Sequence, residues 1–180
     1  MKILVLYYSL DGNTEAVGER IAKKLGADSA KIVRSKRVRP YTAWRRFKAK
    51  LEVARKKKPD IFPVKYDPRD YDLIFIGTPV WFDSYNPVYN TLFSVIKIYD
   101  RKIALFSCGE NEDTKALKKF SDLLQESVII DTYHTVEPLW WDEDDKVEAA
   151  MVDAENWAEE VAEKTEKILE EEELNRRLVY

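Results

Sequence analysis

The chain has 180 residues, of which 45% are hydrophobic and 35% are charged, and its formal net charge is −3. This length suits a single domain with a sizeable core, and no apolar run approaches the ~20 residues of a membrane-spanning helix. The single Cys108 excludes an internal disulfide, which favours a reducing cytoplasm, and one cysteine with one histidine argues against an ordinary zinc site.

Short apolar runs punctuate the chain from its beginning. Continuous apolar character predicts buried strands at residues 3–8, 73–76, 103–106 and 128–130, and a weaker run predicts one near 30–33. Because the first strand begins so close to the N-terminus, we predict no signal peptide and a cytoplasmic location.

Helical patterns lie between these runs, with apolar side chains spaced three or four residues apart. Strand and helix alternate five times, which predicts an α/β fold: one domain over residues 1–180, with a doubly wound parallel sheet and helices on both faces. The predicted helices follow Thr14 and end at Gly26, span about 41–58 (basic), open at Pro87, cover about 116–124, and span about 144–173 (long and acidic).

The first predicted strand runs directly into a polar loop that opens a helix. A helix start leaves backbone N–H groups unpaired and carries partial positive charge. Ser9 and Thr14 add hydroxyls, and Gly12 lets the backbone approach a ligand closely. These features predict a phosphate-binding loop at residues 9–14. The alternative is that its polar side chains only turn the chain and cap the helix.

Two more segments should meet this loop. Ligands of doubly wound sheets bind beyond the carboxyl ends of the strands. The sequence G-T-P-V-W-F at 77–82 and the sequence S-C-G-E-N at 107–111 each follow or end a predicted strand. Phosphate donors, an aromatic pair and a polar turn would then converge on one edge, which suits a flat ring system with a phosphate tail.

The three loops resemble those of flavodoxins and flavodoxin-like proteins. The sequence S-L-D-G-N-T resembles the family's T/S-x-T-G-x-T loop, G-T-P-V-W resembles G-[ST]-P-[VI]-[YW], and S-C-G-E-N is a looser match. The resemblance covers about residues 2–133. It implies the strand order 2-1-3-4-5, FMN as the cofactor, and electron transfer as the function.

By this resemblance, three sets of residues would bind FMN, and no catalytic residue or metal ligand is predicted. The first set would surround the phosphate, the second would lie along the isoalloxazine ring, and the third would offer backbone donors to its pyrimidine edge. The sets are Ser9, Leu10, Asp11, Gly12, Asn13 and Thr14; Thr78, Pro79, Val80, Trp81 and Phe82; and Cys108, Gly109, Glu110 and Asn111.

The chain departs from the family pattern at two places. Asp11 stands where a hydroxyl is usual, and because a carboxylate repels phosphate, we expect it to turn toward the helix backbone. No glycine lies between Gly77 and Gly109. A turn with positive φ beside the ring would therefore fall on Phe82 or Asp83, at a conformational cost. This favours chemistry that leans toward two-electron transfer.

Three functions stay open from the sequence. The first is an FMN-binding flavodoxin-like electron-transfer protein. The second is an FMN-dependent NAD(P)H oxidoreductase acting on quinones or similar acceptors, which the missing glycine and the Trp81–Phe82 pair favour. The third is a cofactor-less interaction module. We expect His134 to be structural, without a nucleophile–base partner, and Trp140–Trp141 to cap the core or form a lid.

Charge is strongly polarised along the chain. Residues 31–58 hold 13 Lys/Arg and one acid (about +12), whereas residues 142–180 hold 15 Asp/Glu and five Lys/Arg (about −10). The charged residues are mostly Lys, Arg and Glu, which favours a thermophilic source. The basic helix is either a solvated face, held near the acidic helix within one molecule or between two, or a dock for an acidic redox protein. A nucleic-acid surface with Tyr41, Trp44 and Phe47 interleaved ranks last.

Overall fold

The computed structural model describes residues 1–36, 43–112, 114–140 and 143–178, without the side chains of Ala43, Arg45 and Trp140. Predictions about Tyr41, Trp141 and the Trp140 side chain lie outside this description. The strands are β1 (Ile3–Tyr7), β2 (Asp28–Lys31), β3 (Leu73–Pro79), β4 (Lys102–Gly109) and β5 (Val128–Val136). The α-helices are α1 (Asn13–Leu25), α2 (Ala43–Ala54), α3 (Val88–Val95), α4 (Ala116–Leu123) and α5 (Asp144–Leu178).

The five strands form one parallel sheet in the order β2-β1-β3-β4-β5. The predicted fold class and strand order are therefore confirmed. Tyr7 pairs with Gly77, and Pro79 pairs with Cys108. The carboxyl ends of β1, β3 and β4 consequently lie side by side, where the three polar loops begin.

The sheet has a hydrophobic layer on each face. Alternate residues of the strands point to opposite sides, so Ile74 packs with α3 and α4 while Phe75 packs with α1 and α5. Because both layers are covered, the central strands consist of continuously buried residues. This explains why the sequence pattern of unbroken apolar runs identified them.

The pattern of unbroken apolar runs did not predict the polar ends of three strands. β3 and β4 continue through Thr78 and Ser107, which are fully buried although polar. β5 continues to Val136, well beyond the predicted end at residue 130. It is an edge strand with several half-exposed or exposed residues, so polar side chains interrupt the apolar run after Ile130 and the unbroken-run criterion stops too early.

Two helix ends differ from the prediction. α2 ends at Ala54 instead of about residue 58, because Lys56 adopts a left-handed φ of 46° and the amide of Lys57 donates to the carbonyl of Glu52 (2.9 Å). α5 continues to Leu178 instead of about residue 173. Its distal part is held to the sheet by an ion pair between Lys102 and Glu172 (2.6 Å).

One close approach within the sheet shapes the loop edge. A Cβ atom at Gly77 would overlap the ring of Phe106, which lies across the backbone of β3. Only glycine leaves this space for the ring. In the described parts of the chain, no helix combines the length and apolarity that crossing a bilayer requires.

Candidate functional site

The structure brings the three predicted loops together at one edge of the sheet. The amide of Val80 donates to the carbonyl of Cys108 (2.8 Å), and the side chain of Val80 lies against Gly109. The loop after β1 joins them because β1 pairs with β3 along its whole length. A ligand beyond the strand ends can therefore touch all three.

The first loop is built for a close approach to a ligand. Gly12 has a φ of 106°, a conformation that disfavours side chains, and α1 begins at the next residue. The Ser9 hydroxyl accepts from the amide of Gly12 (3.1 Å), and the Asp11 carboxylate accepts from the amide of Asn13 (3.4 Å). Asp11 thus turns toward the helix backbone, as the sequence predicted.

Two polar groups in this loop are buried without a hydrogen-bond partner among the described residues. They are the Thr14 hydroxyl and the Asn13 side-chain amide nitrogen. Thr14 lies near the Cys108 thiol, a weak partner, but makes no hydrogen bond of normal geometry with it. Buried donors are rarely left unpaired in native proteins. Their position at the start of α1 points to an anionic ligand that completes the site.

The segment after β5 forms a wall that the sequence did not predict. The amide of Leu139 donates to the Asn13 side-chain oxygen (2.9 Å), and its side chain lies 3.4 Å from where a Cβ at Gly12 would stand. The amide of Glu137 donates to the carbonyl of Gly109 (3.1 Å). These contacts join residues far apart in sequence, and only the nearby Trp140–Trp141 pair drew attention to the segment.

Three carboxylates face this edge. Partial burial, together with the negative charges of Asp11 and Glu110, raises the pKa of Glu137 to about 7. The Glu137 carboxyl therefore stays protonated to a higher pH than an ordinary glutamate does. Protonation reduces the negative charge beside the first loop, which favours an anion there.

The aromatic loop closes in a tight turn of unusual composition. The amide of Trp81 donates to the carbonyl of Ser84 (2.8 Å), and the reverse bond is 3.1 Å. Between them, Phe82 and Asp83 have φ of 50° and 60°, which makes a type I′ turn. The prediction that Phe82 or Asp83 adopts positive φ is confirmed, and both do.

Contacts from the start of α4 hold this turn. The Asp83 carboxylate accepts from the amide of Lys115 (2.9 Å) and the hydroxyl of Thr114 (3.3 Å), and the Lys119 ammonium donates to the Asp83 carbonyl (2.6 Å). The hydrogen bond from the Lys115 amide is the main reason that the pKa of Asp83 is lowered. The turn is thus fixed although it lacks glycine.

The two aromatic side chains of the turn differ in exposure. Trp81 is half-buried and packs edge-on against Tyr8 at a centroid distance of 6.5 Å, whereas Phe82 is 40% exposed. Thr78 is fully buried, and its hydroxyl accepts from the amide of Asn86 (2.9 Å), so this side chain braces the loop. Asn86, which sequence reasoning missed, also has a buried amide nitrogen without a partner among the described residues.

The third loop offers backbone groups and not a reactive thiol. Cys108 is buried in the core, and burial raises the pKa of its thiol to about 12. Glu110 and Asn111 are exposed at the site edge. The thiolate that redox or nucleophilic chemistry needs is therefore scarce at neutral pH.

His134 makes two hydrogen bonds that the sequence did not predict, and they give it the structural role that was expected. Its Nδ1 atom lies 2.8 Å from the Ser107 hydroxyl, and its Nε2 atom lies 2.8 Å from the carbonyl oxygen of Asn111. β4 and β5 place the two residues opposite each other, which sequence separation concealed. Because Ser107 is fully buried and both ring nitrogens are engaged, this pair braces the third loop and does not form a nucleophilic centre.

Comparisons with known proteins agree with this geometry. The family model for flavodoxin matches residues 2–131. A flavodoxin of Haemophilus influenzae is 28% identical over 119 residues, which cover 63% of this chain and 53% of that protein, so the chain spans about half the length of this curated relative.

Solved structures show the same fold. A flavoprotein of Lactobacillus acidophilus NCFM in complex with FMN is 24% identical, with a TM-score of 0.64 over 74% of this chain and 92% of that one. Flavodoxin 2 from Bacillus cereus in its oxidised form is 19% identical, with a TM-score of 0.57 over 91% and 99%. These likenesses concern the fold alone, but the family match covers most of the chain, and it establishes the chain as a member of the flavodoxin family.

Proposed function

We propose that this chain binds FMN at the loop edge and acts as a flavodoxin-like electron-transfer protein. The observation that carries the proposal is the pair of buried, unpartnered polar groups, the Thr14 hydroxyl and the Asn13 amide, at the start of α1. Family membership and the similarity to a flavoprotein complexed with FMN support this cofactor. FMN supplies the redox chemistry when it is bound.

The phosphate would lie against the start of α1. Amides of the first helical turn have no acceptors within the helix and carry partial positive charge. The Thr14 hydroxyl and the Asn13 amide would donate to phosphate oxygens, and Gly12 places no side chain of its own beside them. The Asp11 carboxylate already accepts from the amide of Asn13, so the phosphate would take the amides that follow it in this turn.

The ring would lie between the aromatic turn and the third loop. Trp81 offers a wall fixed by Tyr8, and the exposed Phe82 offers an apolar surface that the ring would cover. An aromatic contact of this kind contributes about 0.5–1.5 kcal/mol beyond burial. The backbone of residues 108–111, braced by His134, would meet the polar edge of the ring.

A second candidate is an FMN-dependent NAD(P)H oxidoreductase acting on quinones or similar acceptors. The fixed turn at Phe82–Asp83, with positive φ at two residues that are not glycine, favours it. A turn held from α4 resists a change of conformation between redox states. Anaerobic mixing of the FMN-loaded protein with NADPH or NADH separates the two functions, because rapid bleaching of the flavin band indicates the enzyme.

The proposal is tested by titrating the FMN-free protein with FMN and with riboflavin, following flavin fluorescence. We expect FMN to bind at least tenfold more tightly than riboflavin, which lacks the phosphate. Thr14→Val should weaken FMN binding at least tenfold, because a hydrogen bond to a charged group contributes about 1.5–3 kcal/mol, while riboflavin binding should change little.

Thr132→Val is the matched control, because Thr132 is exposed in the middle of β5, away from the loops. It should bind FMN like the unaltered chain. A protein that binds neither flavin, even at high excess, is the cofactor-less interaction module and overturns the proposal.

A further inference from the structure

An exposed aromatic pair lies on the outer side of α2. Trp44 is 63% exposed and Phe47 is 51% exposed, and their rings stack with centroids 5.8 Å apart. The Lys48 ammonium lies over the Trp44 ring, 5.3 Å from its centroid. Single exposed apolar residues are ordinary, but two large aromatic rings packed together in solvent mark an interaction surface.

The surface around this pair is basic. Arg46, Lys48 and Lys50 are exposed on the same helix, and four further exposed cations follow it at residues 55–58. The single acid within residues 43–58, Glu52, is engaged in two hydrogen bonds with Arg34, of 3.1 and 3.2 Å. We call Trp44, Arg46, Phe47, Lys48 and Lys50 the α2 surface.

This surface is connected to the loop edge by a short series of contacts. Arg34, which holds Glu52 of α2, lies beside the Tyr8 hydroxyl, where its guanidinium opposes the rise that burial causes in the pKa of Tyr8. Tyr8 in turn packs against Trp81 of the aromatic turn. These contacts link the helix that carries the α2 surface to the wall of the proposed flavin site.

The combination of aromatic rings and cations fits an acidic protein. Trp and Arg are enriched among the residues that contribute most to protein–protein binding, and surrounding charges steer the encounter. Stacking a nucleic-acid base on Trp44 would compete with Phe47 and Lys48, which already lie against that ring.

A second copy of this chain fits the α2 surface less well. Tyr8, next to α2, belongs to the core layer on one sheet face, and acidic α5 packs on the other face. Pairing α2 of one copy with α5 of another would thus be head-to-tail, which leaves a basic and an acidic face unpaired in every assembly except a closed ring.

We propose that the α2 surface docks an acidic redox protein, with carboxylates against its cations and an apolar contact on Trp44 and Phe47. The partner's redox centre then approaches the flavin through the side that Tyr8 and Trp81 form. This inference rests on the proposed FMN function for its purpose, but the docking itself does not require bound FMN.

The experiment uses an acidic plant-type ferredoxin as the probe and basic cytochrome c as the negative control. Binding to the full chain is measured by calorimetry at three salt concentrations, with and without FMN. We expect ferredoxin to bind, cytochrome c not to bind, and the affinity to fall steeply with salt. Lys48→Glu with Lys50→Glu should weaken binding at least tenfold at low salt and reduce the salt dependence.

Two further variants separate the contributions. Trp44→Ala with Phe47→Ala should weaken binding at least tenfold while keeping the salt dependence. Lys167→Glu, a charge reversal at an exposed residue of α5, should change the affinity less than twofold. Circular dichroism and an FMN titration on every variant show that the fold and the flavin site are intact.

Several results would overturn the docking proposal. They are ferredoxin binding that α2 variants leave unchanged, tighter binding of double-stranded DNA than of ferredoxin, and self-association that the same α2 variants abolish. If the unaltered chain does not bind FMN, the proposed function is overturned instead. Ferredoxin binding by that FMN-free chain would still support the docking surface.

Discussion

At the scale of single residues, Asp83 secures the conformation of the aromatic turn. Its left-handed backbone, and that of Phe82 before it, are costly for residues other than glycine. Hydrogen bonds from the start of α4 to the Asp83 side chain and carbonyl offset this cost. The position of Phe82 at the site therefore depends on a residue that need not touch the ligand.

Removing this carboxylate should loosen the turn and weaken flavin binding. We expect Asp83→Ala to raise the dissociation constant of FMN about tenfold, because the turn is no longer held in the binding conformation. Asp83→Asn should retain most of the affinity, since asparagine tolerates positive φ and keeps an acceptor oxygen. Fluorescence titration measures both. Equal affinities for Asp83→Ala and the unaltered chain would contradict this role.

Glu137 makes stability depend on pH. Its pKa in the folded protein is about 7, above that of an exposed glutamate, so the folded state binds the proton more tightly than the unfolded state. The free energy of unfolding should therefore fall as pH rises from about 4.5 to 7 and level off above that. Glu137→Gln should remove this fall.

Between pH 4.5 and pH 8, the free energy of unfolding of Glu137→Gln should rise by about 1 kcal/mol relative to that of the unaltered chain. This value is smaller than the full pKa shift implies, because the side chain is partly exposed. Urea unfolding at both pH values measures the difference. Glu166→Gln, an exposed carboxyl on α5, should leave the pH profile unchanged. An identical profile for Glu137→Gln would show that Glu137 titrates normally.

At the scale of elements, the helices and strands whose signals are local were predicted well. α1 starts within one residue of Thr14 and ends at the left-handed Gly26, because its cap and its apolar spacing lie within the segment itself. The end of β5 and the length of α5 were not predicted, since polar side chains interrupt the apolar run of this edge strand and an acidic helix end gives no sign of its distant partner.

That partner is Lys102, whose side chain is largely buried at the start of β4 and pairs with Glu172. Glu172→Gln should destabilise the protein by about 1–2 kcal/mol, because a buried ammonium loses its counter-charge. Glu171→Gln is the neighbouring exposed control and should change stability by less than about 0.5 kcal/mol. Thermal unfolding measures both, and equal effects would mean that the pair does not hold the end of α5.

At the scale of the whole molecule, the sheet determines which residues meet. The three loops were predicted because parallel strands with buried runs bring their carboxyl ends to one edge. Other contacts were not predicted, because they join segments that only the folded sheet brings together. These are the contacts of Leu139 with Asn13 and of His134 with Ser107 and Asn111. Local chemistry thus predicted the loop edge, and tertiary packing supplied its far wall and its braces.

The ring of Phe106 lying over Gly77 constrains how this sequence can change over generations. Any side chain at position 77 collides with the ring unless residue 106 becomes smaller at the same time. A smaller residue 106 alone leaves a void beside fully buried neighbours. Neither single step is neutral, so homologous chains should show covariation at these two positions, and a mutational library that varies one of them alone should recover almost only the original residue.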